Sequence, residues 1–191
     1  MPKIEHCRLV ELPKAYLLMN HGPVVLISSA HGGRRNVMAA AWTMPLDFSP
    51  AKVAVVVDRN SYTRELMEAS GEFVLSLPPK AMAGKVLAVG SHSGREGDKF
   101  VAFGINTVPA EKVSAPLIAG CVAWLECRIV PEARNQESYD LFIGEVVAAW
   151  ADERVFRDGR WHFAEEELRT IHYLSGGSFL VSGSAFEVSP T

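Results

Sequence analysis

GGRRNVMAAAWTMP, residues 32–45, and DRNSYTR, residues 58–64, are the two segments that decide the fold of this chain. The first begins at a Gly-Gly turn and presents small side chains, hydroxyls and main-chain amides to one surface. The second carries an arginine and two hydroxyls into a predicted helix start. One short apolar strand, predicted over residues 52–57, separates the two segments. Together they predict a cradle for a flat, phosphorylated ligand.

Short extended segments dominate the rest of the chain. Residues 23–29 are apolar and β-branched and follow Gly22, as a buried strand would. Residues 38–43 continue in extended form until Pro45 and Pro50, which lack the N–H that a central strand donates and are expected to break the ladder. Further strands are predicted over residues 73–77, 121–130 and 138–150, and an Asp-Gly pair predicts a tight hairpin within residues 156–163. Many strands and few short helices predict a barrel or a sandwich.

Two short helices are predicted. The first spans residues 61–71, with Ser61 as its N-cap and Gly71 in the left-handed position that ends helices. The second spans residues 79–89, where small and apolar residues alternate. The polar, glycine-bearing residues 91–99 follow as a loop, and loops of this composition often contact ligands.

The predicted strand over residues 121–130 has one fully apolar face. The residues that share this face are Cys121, Ala123, Leu125, Cys127 and Ile129. Glu126 has the opposite parity and is expected on the other face. Cysteine on an apolar face behaves as a small hydrophobe, so Cys121 and Cys127 are predicted as buried thiols, and the role of Cys7 stays open. The cysteines and histidines show no zinc-like spacing, so no metal site is expected.

Size and composition limit the class of protein. The 191 residues, 48% hydrophobic and 21% charged, are long enough for a sizeable core and are expected to form a single domain over residues 1–191. The formal charge of -3 disfavours nucleic acid as a partner. Three cysteines, an odd number, favour a reducing compartment over a disulfide framework. Neither a signal peptide nor an apolar run of roughly 18 residues appears, so a cytoplasmic protein outside the membrane is expected.

The first segment suits the ring of a flat ligand. Ala40 and Ala41 carry little side-chain bulk, so a ring can approach main-chain N–H and C=O groups there. Asn36 offers both a donor and an acceptor, and Thr43 offers a hydroxyl. Trp42 is placed to pack against the ligand or a partner. The alternative is that the alanines fit a crowded barrel interior and Trp42 belongs to the core.

The second segment suits a phosphate. Ser61 and Thr63 lie at a predicted helix N-terminus, whose unsatisfied N–H groups and positive partial charge attract anions. Arg59 adds a charge-assisted contact. The alternative is an ordinary serine cap beside a solvated arginine.

In order and spacing, these segments resemble the flavin reductase-like family of FMN-binding split barrels, which includes flavoredoxins and ferric reductases. The matching motifs are Gly-x-x-Asn-x-x-x-x-x-Trp-Thr at residues 33–43, Asp-Arg-x-Ser-Tyr-Thr at 58–63, Gly-Glu-Phe at 71–73, Asp-Lys-Phe at 98–100, and two later strands at 120–127 and 141–146. The match runs over residues 20–150. It implies a mainly β fold, an antiparallel Greek-key split β-barrel with a few short helices.

The resemblance also implies a site and its occupants. FMN is the implied cofactor, held at a homodimer interface. Carried over by position, the cofactor-binding residues are Asn36, Ala40, Ala41, Trp42, Thr43, Arg59, Ser61, Tyr62, Thr63, Ser91, Ser93 and Lys99. Lys99 would neutralise the phosphate or the edge of reduced flavin, the alternative being an exposed loop lysine. The tail, residues 172–179, resembles a closing segment near the ring, the alternative being simple packing of Tyr173 against the barrel.

Three functions follow from these observations. The first is an FMN-binding oxidoreductase that takes a hydride from NAD(P)H and reduces free flavin, a ferric chelate or a redox partner protein, without a catalytic side chain. The second is a non-enzymatic FMN electron carrier reduced by a partner protein, and the lack of a dinucleotide-binding Gly-x-Gly-x-x-Gly motif does not separate the two. The third is a ligand-free binding barrel of the OB type, which the negative charge disfavours.

Overall fold

Strands and short helices alternate along residues 23–189, the part of the chain that the computed structural model describes. The strands are β1 (Val25–His31), β2 (Arg34–Ala40), β3 (Thr43–Phe48), β4 (Ala51–Val56), β5 (Glu72–Leu77), β6 (Thr107–Val108), β7 (Leu117–Ile118), β8 (Ala123–Val130), β9 (Leu141–Ala151), β10 (Phe156–Arg157), β11 (Arg160–Trp161), β12 (Ile171–Ser175) and β13 (Ser178–Val181). The helices are α1 (Tyr62–Ser70), α2 (Ala83–Ser91), α3 (Lys99–Ala102) and α4 (Ala133–Tyr139), with 3₁₀ turns at Lys80–Met82 and Glu166–Leu168. Gly22 and Cys7, which the sequence analysis singled out, lie outside the described residues.

Within this range, seven antiparallel strands form the main sheet in the order β2-β1-β5-β8-β9-β4-β3. β2 and β3 are its two edges, yet Ala41 and Trp42 alone separate them along the chain. The two edges therefore meet at this corner, and they are not paired with each other elsewhere, which makes the sheet a split barrel. The predicted mainly β, antiparallel split barrel with few short helices is confirmed. Three two-stranded ribbons, β6-β7, β10-β11 and β12-β13, complete the strands.

Successive side chains of β1 point to opposite faces of the sheet, and the apolar side chains on the two faces belong to two separate cores. Val25 and Ile27 pack inside the barrel with Phe73, Phe142 and other strand residues. Leu26 faces the opposite side of the sheet, where it packs against α2, α3 and the end of the chain. This outer core fixes α2 beside β2, next to the corner of the barrel.

The prediction for α1 is confirmed at both ends. Ser61 Oγ accepts a hydrogen bond of 3.2 Å from the amide of Arg64, as an N-cap does. Gly71 has φ of 71° and donates its amide to Met67 O, so it ends the helix in the left-handed conformation. The second predicted helix is also present, as the 3₁₀ turn and α2. The Asp-Gly hairpin forms between β10 and β11, with Asp158 and Gly159 at positive φ.

The prediction that Pro45 breaks the ladder is wrong. β3 runs through Pro45 and pairs with β4, with a bulge between Pro45 and Asp47. β3 is an edge strand and has no neighbouring strand on one side, so the N–H that proline lacks is not required there for pairing.

One further expectation is corrected by the structure. Residues 138–139 belong to α4 and not to a strand, because the chain turns at Asp140, where φ is 54°, before β9 begins.

Glu126, whose burial the parity of the strand did not predict, is fully buried next to a bulge between Glu126 and Cys127. Its carboxylate accepts hydrogen bonds from the amides of Glu111 and Lys112 and from Trp150 Nε1, which compensate for its burial.

Candidate functional site

A cavity of about 270 Å³ lies at the corner where β2 and β3 meet. It is lined by Val24, Ala39, Ala40, Ala41, Trp42, Val86, Leu87, Gly90, Ser91, Tyr173 and Phe179. The structure therefore brings together Ala40, Ala41, Trp42 and Ser91 of the predicted site residues. Three elements build the walls: the β2–β3 connection, α2, and the β12-β13 ribbon.

Small residues and aromatic rings give this cavity its shape. Gly90 on α2 packs so closely on β2 that an added Cβ would lie 3.4 Å from Ala39 Cβ. On another wall, the rings of Tyr173 and Phe179 lie with their centroids 5.3 Å apart and tilted by 55°. Trp42 is 52% exposed and so forms a rim of the cavity rather than part of the core. An alanine floor with aromatic walls suits a flat, partly apolar group.

A second group of predicted residues surrounds Asn36, further along β2. Asn36 Nδ2 donates a hydrogen bond of 2.8 Å to Thr63 Oγ1. Gly94, in the polar loop, lies against this pair, because an added Cβ there would be 2.1 Å from Asn36 Oδ1 and 2.9 Å from a ring carbon of Tyr62. Asn36 is 3% exposed, and its Oδ1 has no hydrogen-bond partner among the described residues. A buried polar atom without a partner is unusual and marks this end of the site.

The N-terminus of α1 is capped internally, as one of the two readings of the sequence proposed. The hydroxyls of Ser61 and Thr63 are both used within the chain, by Arg64 and Asn36 respectively. The first-turn amides of Tyr62 and Thr63 donate no hydrogen bond to any residue that the structure describes. Those two N–H groups are the donors left for a ligand.

Arg59 lies at the entry to α1, and its guanidinium bonds to the C-terminal end of α4. Nη2 donates to Glu137 O at 3.1 Å and lies 3.2 Å from Asp140 Oδ1. The side chain remains 58% exposed. Its role as a phosphate contact stays a prediction.

Two arginines that the sequence analysis did not single out flank the same helix. The guanidinium carbons of Arg34 and Arg95 lie 5.8 and 5.2 Å from the centroid of the Tyr62 ring. Both bond to Glu65, at 3.2 and 2.6 Å, and the hydrogen bond from Arg95 is the main reason that the pKa of Glu65 is lowered. Arg34 lies in the first segment and Arg95 in the polar loop, but only the packing of both on α1 relates them to the site.

The remaining predicted residues occupy less open positions. Thr43 is half-buried and pairs with Val55 in the β3–β4 ladder. Ser91 Oγ donates to Leu87 O at 2.8 Å, and Ser93 Oγ accepts from the amide of Arg95 at 3.2 Å. Lys99 is not the exposed loop lysine of the alternative reading: it is 5% exposed, and burial lowers the pKa of its ammonium group to about 8.

Three cavity residues on α2 were missed by sequence reasoning. Val86, Leu87 and Gly90 lie in or next to the predicted second helix, but no local pattern shows that this helix packs on β2. Phe179 lies in the tail segment, residues 172–179, for which the resemblance implies a place near the ring, and the structure puts it in the cavity wall.

The prediction of buried thiols is confirmed for the two described cysteines. Cys121 and Cys127 are buried, and burial raises the pKa of both thiols, that of Cys127 to about 12. Along residues 23–189, no group of three or more metal-ligating side chains comes together. Within the same range, no helix is long and apolar enough to cross a membrane.

Comparison with known sequences identifies a family and relatives that cover most of the chain. The profile of the flavin reductase like domain family matches residues 19–172. The uncharacterized protein YddH of Escherichia coli (strain K12) is 49% identical over 177 residues, which are 91% of this chain and 94% of that protein.

Comparison with solved structures points to the same fold. An FMN-binding domain of a flavin reductases-like enzyme from Shewanella baltica OS155 is similar with a TM-score of 0.86 and 46% identity, covering 94% of this chain and 96% of that chain. Flavoredoxin of Desulfovibrio vulgaris (Miyazaki F) is similar with a TM-score of 0.79 and 24% identity, covering 99% of this chain and 97% of that chain. At that lower identity, the likeness concerns the fold alone.

Proposed function

This chain belongs to the flavin reductase-like family, and on that premise we propose that it is an oxidoreductase that binds FMN where β2 and β3 meet. The observation that carries the proposal is the cavity at this corner, with its alanine floor and the aromatic wall of Tyr173 and Phe179. The similarity to the FMN-binding domain from Shewanella baltica, at 46% identity, supports FMN as the ligand.

The ring is proposed to lie in the cavity. Ala40 and Ala41 leave their main-chain N–H and C=O groups approachable, which suits the polar edge of a flavin ring. Tyr173, Phe179 and Leu87 give the apolar edge of the ring a surface that excludes water.

The phosphate is proposed to lie at the N-terminus of α1. Asn36, which touches Thr63, and Ala40, which lines the cavity, are four residues apart on β2, or about 13 Å at ~3.3 Å per residue. The ring of FMN and its ribityl phosphate chain, taken together, are long enough to span this distance. At its far end, the phosphate would meet the amides of Tyr62 and Thr63 and the positive end of the helix dipole, with Arg59 beside them.

When bound, FMN supplies the redox chemistry, taking up a hydride and passing electrons onward. The chain contributes binding, orientation and shielding. Among the described residues that line the cavity, Tyr173 is the one with an ionisable side chain, so no acid and base pair is assembled there. NAD(P)H is the proposed donor, and flavin, a ferric chelate or a partner protein is the proposed acceptor.

The visible spectrum of the purified protein tests the proposal. We expect the two absorption bands of oxidised flavin, either as purified or after titration with FMN. A colourless preparation that also fails to bind added FMN would overturn the proposal.

Steady-state oxidation of NADH and NADPH, with FMN or a ferric chelate as acceptor, then separates a reductase from an electron carrier. A reductase oxidises at least one nicotinamide with multiple turnovers. An electron carrier holds FMN but leaves both nicotinamides unchanged until a partner reductase is added.

A homodimer is part of the proposal. The cavity, at about 270 Å³, is slightly smaller than the roughly 300–1,000 Å³ usual for ligand pockets, as expected of a site that a second subunit completes. An exposed apolar ridge begins at Trp42 on the cavity rim and continues along β3 through Met44, Leu46 and Phe48. A second copy of the chain packed on this ridge would cover both the edge strand and the open side of the cavity.

A further inference from the structure

Lys99 is a buried cation bound by main-chain oxygens. Its Nζ donates to Val89 O at 2.8 Å and to His92 O at 3.0 Å. No carboxylate among the described residues forms an ion pair with it, and the neighbouring Asp98 is bonded to Arg35 at 3.0 Å. A buried ammonium group held by carbonyls alone is costly to maintain, so a specific local role is expected.

The two carbonyls belong to the end of α2. The last carbonyls of a helix have no partner within the helix and carry negative partial charge. α2 ends at Ser91, and His92 already has extended backbone angles. Lys99 thus acts as an internal C-cap, supplied by the first residue of α3 after the intervening loop.

The capped end of α2 borders both parts of the proposed site. Gly90 and Ser91 line the cavity at the barrel corner. The chain that leaves His92 brings Gly94 against Asn36 and Tyr62. The Lys99 ammonium group therefore holds the segment that joins the cavity wall on α2 to the loop over Asn36.

We propose that Lys99 is a positioning residue, which holds the end of α2 and the loop over Asn36 in the binding-competent arrangement without touching the cofactor. This inference rests on the proposed function and replaces the expectation that Lys99 contacts the phosphate. Its consequence is specific: loss of the ammonium group should disturb the ring and phosphate ends of the site together.

The test compares Lys99→Met with Lys85→Met. Methionine keeps the apolar stem of Lys99 and removes the charge. Lys85 is a matched control, because it also lies on α2 and bonds to a carbonyl, Gly104 O at 2.6 Å, but it is exposed and lies away from the cavity lining. Dissociation constants for FMN and riboflavin are measured for each variant by flavin fluorescence, together with the visible circular dichroism of riboflavin at saturation.

For Lys99→Met, we expect both affinities to fall by a similar factor, roughly tenfold or more, because a hydrogen-bonded charged group is lost. The dichroism of the saturated riboflavin complex should also change, since the wall beside the ring has moved. Lys85→Met should match the wild type in both measurements. A loss confined to FMN would show that Lys99 contacts the phosphate, and unchanged affinities would show that the cap is dispensable; either result overturns the inference.

Amide hydrogen exchange of the flavin-free protein tests the cap independently of flavin binding. Residues 86–94 should exchange faster in Lys99→Met than in the wild type and in Lys85→Met. If the methionine variant does not fold, Lys99→Gln, whose amide can still donate to one carbonyl, takes its place with the same expectation. Unchanged exchange overturns the inference, whereas a wild type that binds no flavin but shows the exchange difference overturns the proposed function alone.

Discussion

Arg59 and Lys99 are two cations beside the proposed site, and their surroundings differ. Arg59 is exposed at the entry to α1, with its guanidinium 3.2 Å from Asp140, whereas Lys99 is buried and bonds to carbonyls at the end of α2. The exposed guanidinium of Arg59 is accessible to an anion from solution. A buried cation that already has two acceptors has little left to offer a ligand.

Arg59→Ala should weaken the binding of FMN while leaving that of riboflavin almost unchanged. Riboflavin lacks the phosphate, and a charge-assisted hydrogen bond to that group is worth on the order of 1.5–3 kcal/mol, about ten- to over a hundredfold in affinity. Fluorescence titration of both ligands gives the comparison. Equal losses for the two ligands would mean that Arg59 supports the fold through α4, and the phosphate would then be sought near Arg34 and Arg95.

Glu126→Gln should destabilise the protein at neutral pH by about 1–3 kcal/mol, because an amide NH₂ would face buried N–H donors that now bond to a carboxylate. Burial alone would raise the pKa of Glu126, but hydrogen bonds from Trp150, Lys112 and Glu111 outweigh it and lower that pKa. A lowered pKa means that the contribution to stability is present above the unfolded pKa and lost as pH falls through the folded pKa. The difference in urea midpoint between wild type and variant should therefore shrink at acid pH.

Glu111→Gln is the control for that measurement, since the Glu111 side chain is exposed while its amide donates to Glu126. A Glu126→Gln variant as stable as this control would show that the buried hydrogen bonds contribute nothing.

Individual residues could be predicted from the sequence only where their partners are close along the chain. Ser61 and Gly71 were predictable because their partners lie within one helix, whereas the surroundings of Glu126 and Lys99 come from segments that parity and loop composition do not reveal.

At the scale of elements, the ends of α1 and most strands followed from local patterns, but α3, α4 and the packing between elements did not. The turn into α1 was predictable from Ser61, yet nothing local shows that the loop after α2 crosses over β2 to reach Asn36. The expectation that Pro45 ends a strand failed for a related reason. Proline disrupts the pairing of a central strand but is tolerated in an edge strand, and the sequence does not show which strands are edges. Which elements are neighbours was supplied only by resemblance to a family.

Gly94→Ala tests that crossing. A Cβ at Gly94 would lie 2.1 Å from Asn36 Oδ1, so the loop or the buried Asn36 side chain has to move. We expect tenfold or greater loss of FMN affinity, together with a destabilisation of about 1–3 kcal/mol from overpacking.

Gly84→Ala is the matched control on α2, where an added Cβ meets nothing within 4 Å. Alanine in an exposed helix interior should raise stability by roughly 0.5–1 kcal/mol and leave FMN binding unchanged. Calorimetry and flavin titration of both variants give the comparison. A Gly94→Ala protein that behaves like Gly84→Ala would show that the loop is free to move and takes no part in binding.

At the scale of the whole molecule, the two-residue connection between β2 and β3 decides the architecture. Because the sheet begins with β2 and ends with β3, Ala41 and Trp42 draw its edges together, and the cavity forms where they meet. Strand prediction alone left a barrel and a sandwich equally open, since neither periodicity nor turn chemistry states which strands pair. The same closure leaves the edge strand β3 with an exposed apolar ridge. In a monomeric protein, such an edge would be expected to be covered by another element or to carry charged side chains.

The proposed homodimer is tested by charging this ridge away from the cavity. Leu46→Glu/Phe48→Glu alters two exposed side chains, Phe48 being 93% exposed, and leaves Trp42 at the cavity rim untouched. In a two-fold symmetric interface each substitution is repeated, so four carboxylates would be brought into an apolar contact. Light scattering should show about twice the chain mass of 20.9 kDa for the wild type and about that mass for the variant. The monomeric variant should also bind FMN more weakly than the dimeric wild type, because in the proposed dimer the partner would cover the open side of the cavity. Val108→Glu, a comparably exposed apolar position at 51% on β6, should remain dimeric and bind FMN normally. A double variant that stays dimeric would move the interface away from β3, and a monomeric wild type with FMN bound would show that one subunit suffices for the site.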